Sequence, residues 1–174
     1  METIQGLEKQ FPEQDHFITF ISFNSLGLKL HHFCAPANKL NQIDASTYNP
    51  NACTPLYDAI GFVVNKLNQA LENQTDYNVL VTILTDGAEN SSKEVSGKQI
   101  KELVEELKQN RWTFSYIGTD HDVEKTAYTF SINNFMVFEK TEIGVRKMFK
   151  KEKMARTNYY RGIHNEKDQT KDIF

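Results

Sequence analysis

The spacing of apolar positions changes several times along the chain, and each change predicts a different element. Aromatic and β-branched residues dominate 17–23, and a second strand is predicted at 28–34. The short link between them contains Asn and Gly, which predicts an antiparallel hairpin. Apolar residues then recur at three- and four-residue steps over 56–71, which is typical of one face of a helix. Thr54 and Pro55 predict where this helix begins, with the Thr54 hydroxyl as N-cap and Pro55 at the first helical position.

The remaining apolar segments alternate between strand and helix patterns. The strands are predicted at 79–84, 112–117 and 135–138, and the helices around 100–107, 123–130 and from 142 to about 160. Crossovers of this length join parallel strands in a right-handed sense and place helices on both faces of the sheet. We therefore predict an α/β fold: a doubly wound, mostly parallel sheet with one antiparallel edge hairpin.

Length favours a single domain. A chain of 174 residues is long enough for one hydrophobic core and short for two. We assign 1–162 to the domain, including a short helix over 2–11 that ends before Pro12, and expect the charged segment 163–174 to be a disordered tail. The polar stretch 35–53 marks one edge of a candidate site, because loops of that length are usually functional or mobile.

Charge and hydropathy exclude several classes of partner. The formal net charge of -3 argues against a nucleic-acid binder, whose surface is normally strongly basic. No apolar run reaches the roughly 18 residues of a membrane span, and the N-terminus has no signal-peptide pattern, so we expect no membrane partner and a cytoplasmic location. Cys34 and Cys53 lack the spacing of a metal or redox motif and are interpreted as free thiols.

Polar residues at the ends of the predicted strands form the candidate site. Ligands of doubly wound sheets bind outside the carboxyl ends of the strands. Asp86 follows the strand at 79–84, while Thr119 and Asp120 follow the next strand, and Thr54 begins a helix after the long polar loop. The alternative interpretation makes Asp86 a turn residue and Thr54 only a helix cap.

Two segments around these residues resemble a known family. The segments 53-CTPLYDAI-60 and 83-ILTDGAEN-90 are similar to motifs of the von Willebrand factor type A domain, particularly its small stand-alone bacterial members related to tellurium-resistance proteins. The resemblance implies a Rossmann-like fold and a non-catalytic protein-interaction module, not an enzyme. It also implies a metal-ion-dependent adhesion site, in which Thr54 and Asp86 bind Mg²⁺ and the ion accepts an acidic residue of a protein partner.

The sequence departs from this family at its first metal-binding loop. The family carries an Asp-x-Ser-x-Ser motif after its first, central strand, and no such motif occurs among the 174 residues. The segment 2–11 resembles the helix that follows that motif, so Thr54 and Asp86 remain as the metal ligands, and they are too few to hold Mg²⁺. We expect an incomplete site, with Mg²⁺ bound in a full-length form and none in this chain. The predicted partner-binding rim consists of Cys53, Asp58, Gly87, Glu89, Thr119 and Asp120.

Three hypotheses follow for the sheet, which lacks its central strand: the natural protein is longer, the strands at 17–23 and 79–84 pair directly, or a second copy supplies a strand. A metal-free remnant that forms a homodimer through an open sheet edge is therefore one alternative function. Another is an α/β hydrolase or phosphate-handling enzyme that uses Asp86 and Asp120, although the sequence offers no recognisable nucleophile.

Other charged residues also have two interpretations. Asp58 and Glu89 either replace a lost carboxylate ligand or are simply solvated. The basic helix that begins at Glu142 is expected to expose its charges, with its apolar side chains packed on the sheet, and its alternative role is to bind an acidic partner. The side chains predicted to pack are Val145, Met148 and Phe149.

Overall fold

The computed structural model of the protein describes residues 7–41, 53–164 and 173–174. Five strands and five α-helices lie along these residues, together with a 3₁₀ helix at Ala37–Lys39. The strands are β1 (Phe17–Asn24), β2 (Gly27–Pro36), β3 (Val79–Thr85), β4 (Trp112–Gly118) and β5 (Asn134–Val137). The helices are α1 (Leu7–Gln10), α2 (Leu56–Leu71), α3 (Gly97–Lys108), α4 (Val123–Thr129) and α5 (Glu142–His164).

The strands β3, β4 and β5 form a parallel sheet in that order. All seven residues of β4 are buried, as expected for a central strand covered on both faces. Trp112, Phe114 and Tyr116 pack in one core cluster with α2, α3 and α4, whereas Ile117 packs with Met148 of α5. The predicted α/β fold with helices on both faces of a parallel sheet is confirmed.

The strands β1 and β2 form a separate antiparallel sheet. Their turn contains Gly27 at a φ of 146°, which side chains rarely tolerate. Among the described residues β1 pairs only with β2, and β3 pairs only with β4, so the hypothesis that β1 pairs directly with β3 is wrong. The hairpin is positioned instead by packing, since Phe23 contacts the core cluster that includes α2.

The start of α2 differs from the prediction. The N-cap residue is Pro55, and no side chain of that residue caps the helix, so the assignment of Thr54 as N-cap was wrong. Side chains of a distant loop take over the role: the carboxylate of Glu89 and the hydroxyl of Ser92 both accept a hydrogen bond from Tyr57 N at 3.0 Å. The apolar face of α2 is buried as predicted.

Two of the three side chains of α5 that were predicted to pack on the sheet do so. Met148 is buried and Val145 packs beside it, but Phe149 is 53% exposed and is not part of the core. The buried face continues at Ala155 and Tyr159, seven and eleven residues beyond Met148. These spacings follow the 3.6-residue repeat, whereas the residue after Met148 points about 100° away from the sheet.

Three predicted features lie wholly or partly outside the described residues: the helix at 2–11, the loop at 35–53 and the tail at 163–174. Of the tail, Ile173 is described and buried, and its backbone N donates to Asn134 Oδ1 at 2.9 Å. Cys34 and Cys53 are free, as predicted. Over the described ranges, no helix is both long and apolar enough to cross a membrane.

Candidate functional site

Three chain segments meet at the carboxyl end of the parallel sheet. Ser25 N, in the hairpin turn, donates to Cys53 O at 2.9 Å, and its Oγ accepts from Cys53 N at 3.2 Å. Thr54 N donates to Asn90 Oδ1 at 2.8 Å, and Asn90 N donates to Thr54 O at 3.2 Å. Thr54 Oγ1 lies 3.4 Å from the position that a Cβ on Gly87 would take. Thr54 therefore adjoins the loop that follows β3.

Glu89 is the centre of the hydrogen bonds in that loop. Its Oε1 accepts from the backbone N of Ser91 and of Ser92, each at 2.7 Å. Its Oε2 accepts from Ser92 Oγ at 2.7 Å and from Tyr57 N at 3.0 Å, which joins the loop to the first turn of α2. Burial alone raises the pKa of Glu89, but these hydrogen bonds outweigh burial and hold that pKa below its usual range.

Asp58, which lies in the first turn of α2, has a similar role. Its carboxylate accepts from the backbone N of Lys93 at 2.8 Å, of Glu94 at 3.0 Å and of Val95 at 2.8 Å. Burial raises the pKa of Asp58, and the three backbone donors more than offset it, so the pKa is lowered overall. Asp58 and Glu89 thus serve mainly to hold the 86–95 loop against α2.

Asp86 and Asp120 follow neighbouring strands and share one cation. Lys140, which follows β5, places its Nζ 3.1 Å from Asp86 Oδ2 and 3.0 Å from Asp120 Oδ2. The hydrogen bond to Asp120, and next the one to Asp86, raise the pKa of Lys140, and the same Lys140 contact lowers the pKa of Asp120. The side chains are 70% exposed at Asp86, 55% at Asp120 and 54% at Lys140, so another molecule can reach all three.

The turn after β4 is held by a histidine. His121 Nδ1 donates to Thr119 O at 2.7 Å, and because a carbonyl only accepts, His121 Nε2 is left to accept from Tyr116 Oη at 3.0 Å. A Cβ on Gly118 would lie 2.8 Å from His121 Cε1, so glycine lets the ring approach the strand. Asp120 adopts a φ of 61°, a left-handed conformation that Asp tolerates better than most residues.

The comparison with known families agrees with this architecture. The family model of the von Willebrand factor type A domain matches residues 17–151, a span that contains all five described strands and every predicted rim residue. The chain belongs to the von Willebrand factor type A (VWA) domain family. Among curated proteins, no significant match to the chain is found. VWA domains are generally protein-interaction modules, and many bind Mg²⁺ at a metal-ion-dependent adhesion site.

The described residues of this VWA domain do not fit that metal. Mg²⁺ requires about six oxygen ligands in near-ideal octahedral geometry. Thr54 and Asp86 offer one hydroxyl and one carboxylate, and within 7–41, 53–164 and 173–174 no group of three His, Cys, Asp or Glu side chains is placed to hold a metal ion. The Asp86 carboxylate also already contacts the ammonium of Lys140.

Lys140 is the residue of this VWA site that a search for metal ligands misses. Such a search favours carboxylates and hydroxyls, and so it selects Asp86, Asp120 and Thr54 but passes over a cation. A usable signal is nevertheless present in the sequence, because Lys140 follows the third parallel strand, whose carboxyl end lies at the same edge of the sheet. His121 is similarly missed, since its contacts depend on the turn geometry at Asp120.

Proposed function

We propose that this VWA domain is a non-catalytic protein-interaction module that binds its partner at the rim of the strand ends, through an adhesion site that is incomplete in its metal ligands. The observation that carries the proposal is the exposed cluster of Asp86, Asp120 and Lys140 on a firmly held edge. The loop that carries Asp86 is fixed by hydrogen bonds from its backbone to Asp58 and Glu89, and a preordered surface loses little entropy on binding.

The same contacts weigh against the hydrolase alternative. A catalytic carboxylate needs a nucleophile or a general base within hydrogen-bond reach. Both candidate carboxylates are instead paired with Lys140, and both ring nitrogens of the nearby His121 are engaged with Thr119 and Tyr116. We expect no turnover on panels of phosphoesters and carboxylic esters, with or without Mg²⁺. A turnover that disappears in Asp86→Asn would establish the enzyme alternative instead.

We expect Asp86→Ala to weaken capture of the native partner about tenfold or more, because removing one member of an interfacial charge pair costs roughly 2 kcal/mol or more. Asp76→Ala is the matched control. Asp76 precedes β3, the strand that Asp86 follows, so it lies at the amino end of the sheet, and its side chain is 98% exposed. The measurement is crosslinking and quantitative mass spectrometry with the full chain in its host cells.

Two outcomes of that experiment would contradict the proposal. Equal recovery of the partner by both variants would show that the rim does not bind it. Loss of binding in EDTA, restored by Mg²⁺, would show a complete metal site that captures an acidic partner residue. We expect binding to persist in EDTA, and circular dichroism should show that both variants are folded.

A second candidate function is homodimerisation through a sheet edge. The observation that favours it is that, within the described residues, β1 and β3 each pair with a neighbouring strand on one side only. Phe20 on β1 is 41% exposed and Leu84 on β3 is 44% exposed, so both edges present apolar side chains beside their backbone donors and acceptors. Such edges favour the addition of a strand from another chain.

The dimer hypothesis predicts concentration-dependent self-association in analytical ultracentrifugation. Leu84→Lys should shift the equilibrium to monomer, because a lysine on an edge strand disfavours edge-to-edge pairing. Val137→Lys is the matched control: Val137 lies on β5, at the far edge of the parallel sheet, and is 63% exposed. A folded wild-type chain that sediments as a monomer at all concentrations would exclude this candidate.

A further inference from the structure

The ammonium of Lys140 is held between two strand-end carboxylates by the chain on both sides of it. Before Lys140, Phe138 N donates to Gly118 O at 3.1 Å, which ties the end of β5 to β4. After it, Thr141 directly precedes α5, and Thr141 Oγ1 accepts from Gly144 N at 3.0 Å. Lys140 therefore lies in a short link that is anchored at both ends.

A divalent ion and this ammonium would compete for the same oxygen atoms. Nζ lies 3.1 Å from Asp86 Oδ2, and Mg²⁺ bound to that carboxylate would need an oxygen contact of about 2.1 Å. Placing both cations there brings like charges together without additional ligands to offset them. The ammonium also differs from a metal ion in the group that it offers to a partner. Its contacts with Asp86 and Asp120 use two of its three N–H donors, which leaves one donor available.

We propose that Lys140 is a built-in cation that takes the place of the metal at this rim. Two carboxylates and one ammonium leave the cluster with one net negative charge, whereas a divalent ion on a single carboxylate leaves one net positive charge. The favoured partner group is therefore a lysine or arginine, and not the acidic residue that a metal captures. This choice of partner rests on the proposed function, whereas the competition between Lys140 and a divalent ion does not.

The competition is tested without any partner. The full chain is titrated with Mn²⁺, and electron paramagnetic resonance measures how much Mn²⁺ is bound. Wild type and Lys140→Arg should show no saturable Mn²⁺ binding, because both keep a cation between the carboxylates. Lys140→Met should bind Mn²⁺ at least about tenfold more tightly, since two neighbouring carboxylates without a counter-ion favour a bound cation. Asp86→Asn in the Lys140→Met background should remove the gained binding.

Lys93→Met is the matched control, because Lys93 lies in the 86–95 loop on the same edge but its ammonium makes no ion pair with Asp86 or Asp120. The proposal is wrong if Lys140→Met binds no more Mn²⁺ than Lys93→Met, or if wild type binds Mn²⁺ as tightly as Lys140→Met. If the Mn²⁺ results hold while Asp86→Ala keeps its partner, the proposed function fails and the role of Lys140 stands.

Discussion

Replacing Glu89 with alanine should lower the free energy of unfolding by about 3 kcal/mol, as expected when a partly buried carboxylate that accepts several hydrogen bonds is lost. The carboxylate accepts from Ser91 N, Ser92 N, Ser92 Oγ and Tyr57 N. Alanine leaves these donors without the acceptor, and it also removes a negative charge from the N-terminus of α2. Urea denaturation followed by circular dichroism measures the loss.

Glu94→Ala is the matched control for this prediction. Glu94 lies in the same loop with an exposed side chain, and only its backbone N takes part in the Asp58 contacts. We expect its effect on the unfolding free energy to stay within about 0.5 kcal/mol, as for most surface substitutions. Equal effects of Glu89→Ala and Glu94→Ala would show that the hydrogen bonds of Glu89 do not stabilise the fold.

The lowered pKa of Glu89 also makes stability depend on pH in a defined direction. A carboxyl group whose pKa is lower in the folded state contributes its full stabilisation above the unfolded pKa, about 4.3 for Glu, and loses it as the pH falls through the folded value. The free energy of unfolding should therefore fall in acid. Glu89→Gln should flatten this decrease, and an unchanged pH profile in Glu89→Gln would contradict the role assigned to the carboxylate.

Gly144→Ala should destabilise the protein by about 2 kcal/mol, the usual cost of adding a methyl group to a fully packed position. A Cβ at residue 144 would clash with the backbone O and C and the Cβ of Glu139, and backbone atoms cannot move aside as the end of a side chain can. Helix propensity predicts the opposite sign, because alanine in α5 would be favoured by about 1 kcal/mol over glycine. The sign of the change thus shows which effect dominates.

Gly97→Ala provides the comparison for Gly144→Ala. A Cβ at Gly97 would lie 3.4 Å from the nearest atoms of Tyr57, an ordinary contact, and Gly97 begins α3. We expect this variant to be neutral or slightly more stable, by up to about 1 kcal/mol, because alanine restricts the unfolded chain. If thermal and urea denaturation show Gly144→Ala to be as stable as Gly97→Ala, the close approach to Glu139 does not constrain the link that carries Lys140.

Local sequence patterns were sufficient to predict the succession of elements and the end of the sheet at which the candidate site lies. Apolar spacing located α2 and its buried face, because a helix must bury one side on a 3.6-residue repeat. The apolar runs located β3, β4 and β5, and parallel strands bring their carboxyl ends to one edge. The positions of Asp86 and Asp120 on that edge follow from local pattern and connection length alone.

The contacts between side chains of different loops, in contrast, could not be predicted from the sequence. Thr54 directly precedes Pro55 and α2, yet the first turn of α2 is capped by Glu89. The Glu89 carboxylate accepts from Tyr57 N although the two residues are more than thirty positions apart in sequence. The pairing of Lys140 with Asp86 and Asp120 depends in the same way on three separate strands ending together. Spacing along the chain specifies the faces of helices and strands because those repeats are local. Contacts between loops depend on how the whole sheet is assembled, and no local repeat encodes that.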